Sequence, residues 1–125
     1  MGISYKEKER FISGVLHRVS VKHRVLEEDK LGFLTEEDVV LSEVEEDVYK
    51  YVLLSSDAEV KGYVNLRYLG EESLTNKEIA KRLGFSEGKI YYVKKRFIEG
   101  VYGMLLRREK IEEIETKDGY IVIEN

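Results

Sequence analysis

Few side chains in this 125-residue chain can do chemistry, and their spacing argues against catalysis. There is no cysteine, which removes thiol nucleophiles, disulfides and thiolate metal sites. The two histidines, His17 and His23, are not aligned on one helical face, and a zinc site there would need carboxylates to complete it. Glu43, Glu45, Glu46 and Asp47 crowd together, yet no nucleophile, phosphate-cradling loop or oxyanion donor accompanies them. They read as the solvated face of a helix, or as a surface for a basic partner such as a polymerase. No enzyme activity, no cofactor and no metal are expected.

The remaining chemistry is electrostatic. The formal net charge is -4, but the sign changes along the chain. Residues 1–26 hold six basic and two acidic side chains, whereas 27–59 hold two basic and twelve acidic. Residues 60–74 balance. Residues 75–110 carry ten basic against four acidic, and 111–125 one against five. An acidic chain thus contains a basic block that can attract a polyanion locally.

Length and composition fit one domain, with hydrophobic residues at 42% and charged residues at 37%. No run approaches the roughly 20 apolar residues of a membrane span. The charged stretch 6–10 has no signal-peptide core behind it, so a cytoplasmic protein without a membrane partner is expected. The absence of proline leaves helices uninterrupted. The expected fold is mainly α, with a short β tail.

Phe11, Ile12, Val15, Leu16, Val19 and Leu26 recur at helical spacing and predict a first helix over about 5–26. Gly14 and the β-branched Val19, Val21 and Val25 weaken it, and alternation over 19–23 allows a short strand instead. Residues 1–34 form this helix or arm. Thr35 with Asp38 resembles an N-cap and its reciprocal acid, ahead of Val40, Val44, Val48, Tyr51 and Val52. Asp57 can cap a third helix carrying Val60, Tyr63, Val64 and Leu69, closed by Gly70. Together, 35–70 make an acidic helical scaffold. In the tail, 111–125, Asp118-Gly119 before Tyr120-Ile-Val-Ile reads as a turn into a strand. That strand needs a partner, from Ile111 and Ile114 or from another subunit.

Between scaffold and tail, 74–106 read as a helix-turn-helix. Thr75 or Asn76 can cap a short helix with Ile79, Ala80 and Leu83, and Gly84 suits a helix C′ position. Phe85 follows, then Ser86 as a new N-cap with Glu87 at the positive end of the next helix dipole. Ile90, Val93, Phe97, Val101 and Met104 hold one face of the long helix. Ala80 is small where the two helices must cross, and Ile79, Leu83, Phe85, Ile90 and Val93 close a shared core.

Residues 74–96 resemble the helix-turn-helix of the C-terminal region of sigma factors, and more specifically the ArpU-type phage transcriptional regulators. The wider similarity extends from about residue 35 to 106, through the acidic middle helix and the aromatic-containing segment from Tyr63 to Leu69. The resemblance implies a DNA-binding transcriptional regulator, phage or prophage encoded. Two features depart from sigma factors. Gly88, Tyr91 and Tyr92 stand where charged or amide side chains are usual, and no segment resembles a promoter-melting region. Autonomous promoter opening is therefore not expected.

At about 100° per residue, Ile90, Phe97 and Val101 centre the buried face of the second helix. Gly88, Tyr92, Lys95, Arg96 and Glu99 then lie opposite, with Lys89 and Tyr91 on the flanks. A recognition helix presents its N-terminal turns to the major groove, so Glu87, Gly88, Lys89, Tyr91, Tyr92 and Lys95 are the expected base contacts. Lys77, Lys81, Arg82, Lys94 and Arg96 are the expected phosphate contacts. Lys94 falls close to the core axis and must snorkel. The expected partner is double-stranded DNA, read by a homodimer that joins through the amphipathic segment 11–26, unless that segment is a core helix. Two other readings remain open: a sigma-like RNA polymerase accessory factor, and an interaction module that no longer binds DNA.

Overall fold

The computed structural model describes residues 2–28, 32 and 40–125. Among the described residues, five α-helices lead into a hairpin: α1 (Tyr5–Glu28), α2 (Glu43–Leu54), α3 (Ala58–Val64), α4 (Asn76–Leu83), α5 (Glu87–Arg107), β1 (Ile111–Thr116) and β2 (Gly119–Glu124). The fold is mainly α with a short antiparallel β tail, as the periodicities predict. Among the described residues, no helix is long and apolar enough to cross a membrane.

The helix α1 runs unbroken through 19–23, so the helical period prevails there over the strand alternation. Ile12, Val15, Leu16 and Val19 are fully buried. They are covered by the chain itself, since α1 packs on α2 and α5. This stripe is a core face, and the expected dimer surface on 11–26 gives way to that role.

The helix α2 starts later than its valine spacing suggests. Its N-cap is Ser42, whose hydroxyl accepts from Glu45 N–H while the Glu45 carboxylate accepts from Ser42 N–H. Val40 lies outside the helix, half exposed, and its carbonyl accepts from Lys22 Nζ at 3.0 Å. The Thr35–Asp38 cap lies outside the described residues. Glu45 itself is buried, held by Lys22 at 2.5 Å and Arg18 at 2.9 Å.

Asp57 caps α3 as expected, accepting from Val60 N–H at 3.2 Å. The helix then widens into a π-helical turn over Asn65–Leu69. Side chains and backbone from the following loop take up groups around this turn. Leu74 N–H donates to Leu66 O, and Ser73 Oγ to Arg67 O. Gly70 ends the turn where a Cβ would stand 2.9 Å from Asn65 O, too close for any other residue without a backbone shift.

The helix α5 is the central element and packs on α1, α2, α3, α4 and β1. Val93, Phe97, Ile98, Val101, Tyr102 and Leu105 are buried along it. At Gly100 a Cβ would collide with the Tyr51 hydroxyl, so this glycine lets Tyr51 lie across α5 beside Phe97. Past α5, β1 and β2 pair through a two-residue Lys117–Asp118 turn, with Gly119 at φ 129°. The strand partner therefore comes from the same chain. Ile111 is buried, Tyr102 Oη donates to Glu113 at 2.5 Å, and Arg18 pairs with Glu124, so the hairpin is fastened to the helices.

Candidate nucleic-acid interface

The short α4 and the long α5 meet through a turn whose geometry follows from three residues. Thr75 and Glu78 form a reciprocal capping box at the start of α4. Gly84 takes the left-handed conformation, φ 70° and ψ 29°, at its end. Phe85 N–H then donates to Ala80 O at 2.8 Å and Gly84 N–H to Lys81 O at 3.4 Å, the paired bonds of a Schellman motif. Ser86 at once caps α5, accepting from Lys89 N–H at 3.1 Å. Ile79, Ala80, Ile90 and Val93 are buried in the joint, with Leu83 and Phe85 packed on its edge.

The outward stripe at the start of α5 brings together Gly88, Tyr92 and Lys95. Tyr92 is 73% exposed, and a Cβ on Gly88 would approach only Ser86 Oγ, at 4.0 Å. Glu87 is exposed at the first position. Tyr91, 55% exposed, leans edge-on to Tyr5 of α1, and Lys95 Nζ stands 6.0 Å from the same ring. On α4, Lys77, Lys81 and Arg82 are exposed and make no ion pair among the described residues.

The other expected contacts are placed differently. Lys94 is only 13% exposed in its side chain and pairs with Glu9 at 2.6 Å. It does snorkel, toward α1, and it is already neutralised. Lys89 pairs with Glu59 at 2.7 Å and lies 4.3 Å from the centre of the Phe85 ring. Arg96 grips Asp57 through Nε at 2.8 Å and Nη2 at 3.2 Å, and reaches Glu59 at 3.1 Å. These bonds hold Asp57 and Glu59 below the ordinary carboxylate range, Arg96 acting first on Asp57 and Lys89 first on Glu59.

A cleft of about 340 Å³ separates α1 from the α4–α5 unit, lined by Tyr5, Glu9, Asn76, Lys77, Glu87, Ile90, Tyr91 and Lys94. Burial, reinforced by Glu9, pushes the Tyr5 phenol well above its ordinary value. The histidines take no part. His23 packs edge-on against Tyr49 at 4.9 Å, and His17 is exposed on α1.

Sequence reasoning missed Asp57, Glu59, Glu9 and Tyr5 as members of this surface. Asp57 carries a local signal, but it is a capping signal and names no distant partner. Nothing in a periodicity reports a pairing across 37 or 39 positions. Comparison with protein-family models, with curated proteins and with solved structures returned no match.

Proposed function

We propose that this chain is a sequence-specific DNA-binding regulator of transcription, with α4 and α5 as a helix-turn-helix and the first turns of α5 in the major groove. One observation carries the reading. The exposed stripe Gly88, Tyr92 and Lys95 accompanies three exposed cations of α4 that form no ion pair among the described residues, although Glu78 acts on Arg82 across one turn, while Lys89, Lys94 and Arg96 are paired. Lys77, Lys81 and Arg82 would meet phosphates and supply affinity without sequence information. Glu87, Tyr92 and Lys95 would face base edges, with Glu87 accepting from cytosine, Lys95 donating to guanine and Tyr92 packing on a thymine methyl. Gly88 lets the backbone of α5 approach the groove. Phage or prophage origin, and membership among ArpU-type regulators, belong to the same reading and rest on the resemblance of residues 74–96.

The test is selection of bound duplexes from a randomised library, run in parallel with a Tyr92→Ala/Lys95→Ala protein. Both side chains are exposed, so the variant is expected to fold. A motif enriched by the parent chain and lost in the variant supports direct readout, and a palindrome would add a dimer. No enrichment from the folded parent would reject an autonomous regulator and favour a factor that binds RNA polymerase first.

A further inference from the structure

The flank of α5 that faces α3 holds two cations and two carboxylates in one cluster. Lys89 and Arg96 meet Asp57 and Glu59 through three ion pairs, of 2.7 Å for Lys89–Glu59, 2.8 Å for Arg96–Asp57 and 3.1 Å for Arg96–Glu59. The formal charge of the cluster is zero. All four side chains are between 35% and 48% exposed, so a polyanion approaching this flank would meet the carboxylates together with the cations. Three of the four have anchors of their own, and Glu59 is held by Lys89 and Arg96. Asp57 is anchored as the cap of α3 through Val60 N–H, Arg96 is held by two of its nitrogens, and Lys89 rests over the Phe85 ring. Lys77, Lys81 and Arg82 on α4 form no ion pair among the described residues, Arg82 feeling Glu78 only at longer range.

We infer that Asp57 and Glu59 are specificity-determining residues of this protein: they occupy Lys89 and Arg96 in place of DNA phosphates and so suppress sequence-independent binding to duplex DNA. The inference rests on the DNA-binding reading above. Non-specific affinity comes from phosphate neutralisation, and it falls with salt by a slope of about 0.9 per neutralised phosphate. A cation already neutralised within the protein adds little to that slope. With Asp57 and Glu59 in place, the unpaired cations of α4 and Lys95 draw the duplex in. The α3-facing flank stays neutral, and base contacts rather than bulk charge decide where the protein stays. Discrimination is the ratio of specific to non-specific affinity, so lowering the second raises the ratio without any added base contact.

The experiment compares the parent chain, Glu59→Gln alone, and Asp57→Asn/Glu59→Gln, by salt titration of binding to a random-sequence duplex. Asparagine caps a helix about as well as aspartate, and Glu59 has no capping bond, so both variants are expected to keep the fold. The double variant should bind random duplex about tenfold more tightly near 0.1 M salt, with a slope steeper by up to about 1.8. The single variant should fall between it and the parent. If the parent binds duplex and the variants show the same slope, or weaker binding, the carboxylates do not compete with phosphate. That result overturns the inference and leaves the DNA-binding reading standing. If parent and variants alike fail to bind any duplex at low salt, the DNA-binding reading falls and takes the inference with it.

Discussion

The phenol of Tyr63, fully buried in α3, donates at 2.8 Å to Oδ1 of Asn76, the first residue of α4. This bond ties the helical scaffold to the start of the α4–α5 unit, close to where Lys77 faces solvent. Burial, with a smaller contribution from Tyr68, drives the Tyr63 phenol far above its ordinary value of 10.0. The native state therefore favours the neutral phenol. Its stabilising contribution is complete below pH 10 and is lost as pH rises beyond that value.

Tyr63→Phe keeps the ring in the core and removes only the hydroxyl. It should cost about 1 kcal/mol at neutral pH, the usual net value of one hydrogen bond. Urea unfolding should show a lower midpoint at an unchanged slope. Above pH 10 the variant should lose stability less steeply than the parent, because one of its raised phenols is gone. An identical alkaline profile would mean that Tyr63 ionises in the native state as it does in water.

Glu45 gives a prediction at the acid end. Burial alone would raise its pKa, but hydrogen bonds from Lys22, Ser42 N–H and Arg18 outweigh burial and leave it lowered. The stability it contributes is present above the unfolded value and is lost as pH falls through the native one. Glu45→Gln can still close the capping box with Ser42 but leaves Lys22 without its carboxylate and Arg18 with Glu124 alone. A cost of about 1.5 kcal/mol is expected at pH 7, measured by urea unfolding. As pH falls below the ordinary value of 4.5 the gap between variant and parent should shrink. A gap independent of pH would assign the loss to packing instead of charge.

Stability and recognition should part company at Gly88. A Cβ there would meet only Ser86 Oγ, at an ordinary contact distance of 4.0 Å, and the glycine costs the helix stability without any need imposed by the fold. Gly88→Ala should stabilise the protein by about 0.5 kcal/mol, less than at a helix interior because Gly88 sits in the first turn. Under the proposed function it should also weaken binding to the selected duplex by tenfold or more, since the added methyl would stand between α5 and the groove. Unaltered duplex binding would show that no ligand backbone or base comes close at this position.

How much of this is legible in the sequence depends on the range of each interaction. Caps and turns are local, so Thr75, Gly84, Ser86 and Asp57 signal the ends of α3, α4 and α5 correctly. The start of α2 is masked because Val40 continues the spacing of Val44 and Val48 by chance, whereas Ser42 and Glu45 supply the capping box. The π-helical turn is invisible, as it depends on hydrogen bonds returned by Ser73 and Leu74 from beyond Gly70. The α1 stripe is legible as apolar, but what it packs against is not. The candidate surface is readable as a set of cations on two helices. Which of them are free is not readable, because Glu9, Asp57 and Glu59 reach them only through the tertiary fold.

That difference separates the lysines of α4 from Lys94, and it can be measured. Removing Lys77, Lys81 and Arg82 together by alanine substitution should leave the urea midpoint nearly unchanged, because exposed side chains away from packing and ion pairs contribute little. Under the proposed function it should flatten the salt dependence of duplex binding by up to about 2.7, at about 0.9 for each phosphate that no longer has a cation beside it. Lys94→Ala should do the reverse. Its side chain is largely buried and its ammonium meets Glu9, so the substitution strips a partly buried carboxylate of its partner and lowers stability by about 1 kcal/mol. The salt slope should stay where it was. A flattened slope in a folded Lys94→Ala protein would show that the pair with Glu9 opens on DNA, and would return Lys94 to the proposed phosphate contacts.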